Sequence, residues 1–235
     1  MFRTTLLFLA GAAALPLAAQ DSVSAVVDLG FVNTAGNTDV TTLNVGEKMG
    51  YYAGPWTLTQ RFSIVYARTA GTTTTNQLRA GARVDRPLAN PLGLFALGAY
   101  ERNTFAGIER RFEEALGITA RLVQQDDLTI STEFGASLNQ QTPVGGPTAT
   151  FAAARAAADI KRSLTTTAYI TADGEFLPNL KTSEDYRINA SAALVAPISS
   201  KIATKLSYAL VYDHLPEPGF KTTDRVFTAG LQLTF

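Results

Sequence analysis

From about residue 22 to the end, the chain alternates apolar and polar residues with a period of two, the signature of strands with one apolar and one polar face. The stretch from Arg111 shows it plainly: Phe112, Leu116, Ile118, Ala120 and Leu122 share one face, and Arg111, Glu113, Thr119 and Arg121 share the other. From Asn76, the face of Leu78, Ala80, Ala82 and Val84 opposes Gln77, Arg79, Arg83 and Asp85. From Leu128, the face of Ile130, Phe134, Ala136 and Leu138 opposes Thr129, Ser131, Glu133 and Asn139. Read this way, the chain predicts about twelve strands. They run near residues 22–33, 40–52, 56–67, 76–86, 92–103, 110–122, 128–139, 149–160, 165–173, 184–196, 202–213 and 223–235. Most exceed the usual strand of about five or six residues in soluble domains.

The predicted connections alternate in kind. Ala53-Gly54-Pro55, Pro87 to Pro91, Val123 to Asp127, Lys161 to Leu164 and Pro197 to Lys201 are compact. Between them come longer, polar, glycine-rich links: Thr34 to Asp39, Arg68 to Thr75, Asn103 to Glu109, Gln140 to Thr148, Gly174 to Ser183 and His214 to Thr222. Short turns on one side and longer loops on the other are the habit of transmembrane barrels, whose tilted strands need about 9–11 residues to cross the bilayer. The alanine-rich stretch Ala149 to Ile160 has helical propensity. As a strand, it turns Ala152, Ala154, Ala156, Ala158 and Ile160 one way and Arg155, Asp159 and Lys161 the other, so a strand is expected.

The fold class expected is therefore all-β: a transmembrane, antiparallel, up-and-down β-barrel of about 12 strands, apolar toward lipid and polar toward its lumen. A soluble barrel with an apolar interior remains a rival, because its polar face would point to solvent. Lumen-lining charges expected are Arg79, Arg83, Arg111, Arg121, Arg155, Arg187 and Lys205 on the basic side. Their acidic counterparts are Asp85, Glu113, Glu133, Asp159, Asp173 and Asp185. The near balance of signs suits a narrow or occluded lumen, since unpaired charges there are costly to desolvate. Gly30, Gly46, Gly81, Gly117, Gly135 and Gly230 fall on the inward face, and Glu114 interrupts the apolar one. Tyr51 and Trp56 suit one interfacial aromatic girdle, and Tyr66, Phe112 and Tyr212 the other.

The two ends agree with this reading. Met1-Phe2-Arg3, an apolar run to Leu17 and then Ala18-Ala19-Gln20 have the layout of a secretory signal peptide, giving a leader over 1–20 and a barrel over 21–235. The last strand alternates to Phe235. Its Thr228, Gly230, Leu233 and Phe235 resemble the carboxy-terminal insertion signal of bacterial outer-membrane barrels. The expected location is thus the outer membrane of a Gram-negative bacterium. The partners are its lipids, the barrel-assembly machinery and periplasmic chaperones.

Composition narrows the chemistry. There is no cysteine, so disulfides and thiolate sites are excluded. The formal net charge is zero with no basic patch, which argues against nucleic acid. The one histidine, His214, follows Asp213 in a predicted loop. It could act as a base in an outer-membrane lipid hydrolase, but no nucleophile elbow is present and Ser207 is expected inward. Asn33, Asn37 and Asp39 offer side-chain oxygens in the first loop, yet suit an Asx-rich turn better than calcium. No catalytic residue, metal or cofactor is expected, and the protein is read as a non-enzyme.

Three segments carry a family resemblance. Gly30-Phe31-Val32-Asn33-Thr34-Ala35-Gly36-Asn37-Thr38-Asp39, continuing to Leu43-Asn44, resembles the opening of a bacterial family of unknown function whose members are often described as salt-induced outer-membrane proteins. Tyr100-Glu101-Arg102-Asn103-Thr104-Phe105-Ala106-Gly107, with Arg111, is similar to its centre. Leu206-Ser207-Tyr208 and Pro218-Gly219-Phe220-Lys221-Thr222-Thr223-Asp224 through Phe235 are similar to its end. The resemblance implies an outer-membrane barrel linked to salt or osmotic stress and offers no catalytic residues; the role expected of the chain is a narrow channel or a structural envelope component. The alanine-rich strand departs from the family pattern.

Overall fold

The structure is a computed structural model that describes residues 22–34 and 40–235; the expected leader and the loop bearing Asn37 and Asp39 lie outside them. Twelve strands form a closed barrel among the described residues. They are β1 (Ser22–Thr34), β2 (Val40–Ala53), β3 (Trp56–Thr69), β4 (Thr72–Ala89), β5 (Leu92–Asn103), β6 (Ile108–Gln124), β7 (Leu128–Pro143), β8 (Ala149–Ser163), β9 (Tyr169–Pro178), β10 (Tyr186–Pro197), β11 (Ile202–Asp213) and β12 (Thr223–Thr234). Every strand is antiparallel to its sequence neighbours, and β12 returns to β1.

The alternation puts large apolar side chains on the outside. Leu116, Leu122, Phe134 and Phe227 are more than half exposed. Such a belt around a whole barrel has no aqueous rationale and matches a lipid-facing surface. Inside lie Arg111, Glu133, Asn139 and Arg187, all buried. The alanine-rich segment is a strand: Arg155 pairs with Gly135, and Ala154 with Ala136. A helix there would strip backbone partners from β7 and β9, which outweighs a propensity worth tenths of a kcal/mol per residue.

Two boundaries differ from expectation. Thr165 to Thr167 read as strand, being β-branched, but they form a turn: Thr165 Oγ1 accepts from the backbone N–H of Thr167 and Ala168 at 3.3 and 2.9 Å. Threonine hydroxyls bond locally where a chain reverses, and β9 therefore starts at Tyr169. The expected long link Arg68 to Thr75 is a two-residue turn, Ala70-Gly71, with φ of 47° and 76°. Positive φ at both central positions is the hairpin geometry that matches strand twist, so β3 and β4 continue through the polar threonines.

Closure is incomplete in length. β1 and β12 pair from Val26 with Thr234 to Gly30 with Gly230, and Ala25 and Phe235 exchange backbone hydrogen bonds of 2.9 and 3.2 Å. Beyond Gly30, β1 pairs only with β2, and Thr223–Ala229 of β12 pairs only with β11. The last strand thus covers the two sheet edges along one half of the seam. At Gly230 a Cβ would lie 2.0 Å from the Leu29 carbonyl oxygen, so glycine is required for the two backbones to meet.

Candidate lumen site

The barrel has a terminal rim, where β1 begins and β12 ends, and a distal rim bearing the longer links. Inside, an ion ladder climbs obliquely from one toward the other. Arg83 donates to both oxygens of Asp85 at 2.7–3.0 Å and pairs with Glu133 at 2.7 Å. Glu133 meets Arg155 at 3.3 Å, and Arg155 also holds Glu175. Glu113 lies 3.8 Å from Arg155 and 3.8 Å from Arg187. Arg187 donates to Asn139 Oδ1 at 2.8 Å. Nearer the distal rim, Glu101 accepts from Arg79 at 2.9 Å and from Arg111 at 3.1 Å, while Arg111 also donates to Gln141 at 2.6 and 2.8 Å. The ladder crosses from β4 to β7, and again from β6 to β10, so it spans the lumen as well as following its wall.

Phe95 supports the ladder from below. It is buried, facing inward, and the Arg83 guanidinium stacks 4.4 Å from its ring centroid. An aromatic face over a desolvated guanidinium adds attraction that carboxylates alone do not supply.

At the distal rim the β11–β12 link crosses the mouth. Gln141, at the end of β7, donates to Glu217 Oε1 at 3.1 Å. Gly107, between β5 and β6, has φ of +80°, and a Cβ there would sit 2.9 Å from both Glu217 Cβ and Phe220 Cδ2. β11 and β12 stand on the opposite side of the ring from β6 and β7. Asp213, the last residue of β11, reaches Arg111 of β6 at 3.9 Å.

Beside the ladder lies a cavity of about 740 Å³, lined by strands around the barrel. It takes in ten of the expected lumen charges: Arg79, Arg83, Asp85, Arg111, Glu113, Glu133, Arg155, Asp159, Asp173 and Arg187. Lys205 lines a smaller pocket at the β1–β12 seam, its Nζ 2.5 Å from Asp28 Oδ2. Arg121 is exposed next to a bulge in the β6–β7 register, outside the cavity. Asp185 belongs to the distal β9–β10 link, where it accepts from Asn179 Nδ2 at 2.6 Å.

Among the charged residues of this interior that escaped the sequence reading are Asp28, Lys48, Arg61, Glu101 and Glu175. Asp28 and Lys48 were within reach, two positions from the inward glycines Gly30 and Gly46. Glu101 was not, because the inward face before it, Phe95, Leu97 and Ala99, is apolar and gives no contrast to follow.

The remaining candidates lie along the seam, on the outer face and at the rims. Thr228 accepts from Asn44 at 2.7 Å inside the seam, Leu233 pairs with Val27 and Ile202, and Phe235 is 69% exposed. Phe112 and Glu114 are exposed on the lipid-facing side. His214 stacks on Tyr186 at 4.5 Å between centroids, with Nδ1 2.8 Å from Tyr212 Oη. Tyr212 and Tyr186 face outward and belong to an aromatic girdle, whereas Ser207 points into the seam pocket. Among the described residues no group of acidic or histidine side chains has the arrangement of a metal site.

The profile of a family described as "Protein of unknown function, DUF481" matches residues 27–235. No curated protein matches the chain. Among solved structures, the NanC porin is similar with 9% identity, a TM-score of 0.56, and coverage of 89% of this chain and 98% of that one. The KdgM porin in complex with disordered oligogalacturonate has 11% identity, a TM-score of 0.47, and coverage of 91% and 99%. The translocator domain of autotransporter NalP from Neisseria meningitidis has 12% identity, a TM-score of 0.46, and coverage of 92% and 87%. At such identities the likeness is one of fold.

Proposed function

We propose that this chain, which belongs to the DUF481 family of unknown function, forms a narrow aqueous channel across the outer membrane of a Gram-negative bacterium. One observation carries the reading: the ion ladder knits part of the lumen shut, while a cavity of about 740 Å³ persists beside it. About twelve strands stand between barrels of eight, filled by side chains, and those of sixteen or more, which hold open channels. The fold likeness to a porin and the apolar outer belt support the same reading. The terminal rim is then periplasmic, and the Glu217–Phe220 segment caps the outer mouth. Outer-membrane lipids surround the barrel, and the barrel-assembly machinery and periplasmic chaperones deliver it. The reading includes no enzymatic step.

The test uses the full-length protein in proteoliposomes, after fractionation with outer membranes and heat-modifiable gel mobility have placed it. Uptake of small sugars without phospholipid hydrolysis supports the channel. Absence of uptake points to a closed structural barrel, and hydrolysis lost in His214→Ala overturns the non-enzyme reading. A soluble fraction overturns the membrane reading altogether. The salt-stress role that the family resemblance implies is tested by growth of a deletion strain at high osmolarity, where slowed growth supports it and unchanged growth removes it.

A further inference from the structure

Most lumen charges among the described residues are consumed by the ladder, and two pairs of register partners that line the cavity near the terminal rim stand outside it. Lys48 of β2 and Arg61 of β3 are register partners on the inward face. Neither makes an ion pair or a side-chain hydrogen bond with the described residues. Asp159 of β8 and Asp173 of β9 are also register partners. Among the described residues neither has an ion pair, and Asp173 accepts there only from Ser191 Oγ, at 2.6 Å. Two carboxylates side by side repel each other, as do two cations, and among the described residues no ion pair joins one set to the other.

Their placement is matched. Lys48 lies five residues before the strand end at Ala53, and Arg61 five after Trp56; Asp159 lies four before Ser163, and Asp173 four after Tyr169. Counted from the strand ends, all four are thus within one residue step of the same height above the terminal rim. In the ring order, β2 and β3 stand directly opposite β8 and β9. All four side chains line this same cavity, and Lys48 and Arg61 lie within electrostatic range of Asp159. The ladder leaves this gap open, since Arg83, Arg155 and Glu133 pair with each other and with Asp85 and Glu175.

We propose that this cross-section is a binding and selection site for small zwitterions, with a carboxylate held by Lys48 and Arg61 and an ammonium held by Asp159 and Asp173. A basic wall facing an acidic wall orients a molecule that carries both charges and gives each a partner as it sheds water. A neutral solute gains nothing from the field, and a simple ion is attracted by one wall and repelled by the other. The inference rests on the channel reading and names its solute class.

The experiment compares glycine with its uncharged isomer glycolamide, which has the same atoms, in proteoliposome uptake corrected for protein-free vesicles. The wild type should pass glycine faster by about threefold or more, the factor that one RT of attraction supplies. Lys48→Gln with Arg61→Gln, and separately Asp159→Asn with Asp173→Asn, should each abolish the preference. Reversal potentials in a salt gradient should move toward cation selectivity in the first variant and anion selectivity in the second. Equal uptake of the two isomers by the wild type overturns the zwitterion site and leaves the channel standing. Uptake of neither overturns both. A glycine preference that survives in both variants, or reversal potentials that fail to separate, also overturns the site.

Discussion

At the scale of single residues, Arg155 is the member of the ladder with most to lose. It is the common partner of Glu113, Glu133 and Glu175, with its side chain 9% exposed. Arg155→Gln leaves three inward carboxylates without it, and breaking a buried pair from one side costs about 3–5 kcal/mol. The variant should therefore melt earlier in detergent by circular dichroism, and in bilayers it should conduct more and favour cations. An unchanged melting temperature with unchanged selectivity would show that the ladder contributes neither stability nor closure. At the seam, Gly230→Val places a side chain against the Leu29 carbonyl, where even a Cβ has 2.0 Å. We expect the heat-modifiable folded band to fall sharply on gels, with the unfolded band gaining what it loses.

Among elements, the β11–β12 link is the part whose role no periodicity announces. Its sequence, His214 to Thr222, reads only as one of the longer polar, glycine-rich links, yet it contacts the far side of the mouth through Glu217 and Phe220. Glu217→Gly with Phe220→Gly removes both contacts, and single-channel recording should show longer open times or larger steps, with the folded band on gels unchanged. The strands were far more legible. Their alternation reflects a physical division between lipid and lumen that every residue must obey, so even the alanine-rich β8 was readable from Arg155 and Asp159. What failed was local: Thr165 to Thr167 have strand propensity but spend their hydroxyls on a turn, and Ala70-Gly71 closes a hairpin inside a polar run. The ladder was half legible. Alternation tells which face a charge occupies, while its partner depends on register and ring position, which no single strand contains. Glu101 was hidden behind an apolar inward face, and Glu175 by a strand end placed too early.

For the whole molecule, closure joins chain end to chain beginning. Phe235 exchanges backbone hydrogen bonds with Ala25, and the β1–β12 seam is short. Phe235→Ser should lower the amount of folded barrel recovered from outer membranes, while the fraction that assembles passes solute as the wild type does; full assembly of the variant would remove the insertion signal from the account. The central claim, however, is that a path remains beside the ladder. Single-channel recording of the full-length protein in planar bilayers tests it most directly. The account predicts discrete steps, small beside those of barrels with sixteen or more strands and with weak selectivity between anions and cations. A folded, membrane-inserted barrel that gives no steps at any voltage would contradict it, and the molecule would then be a closed structural component of the envelope.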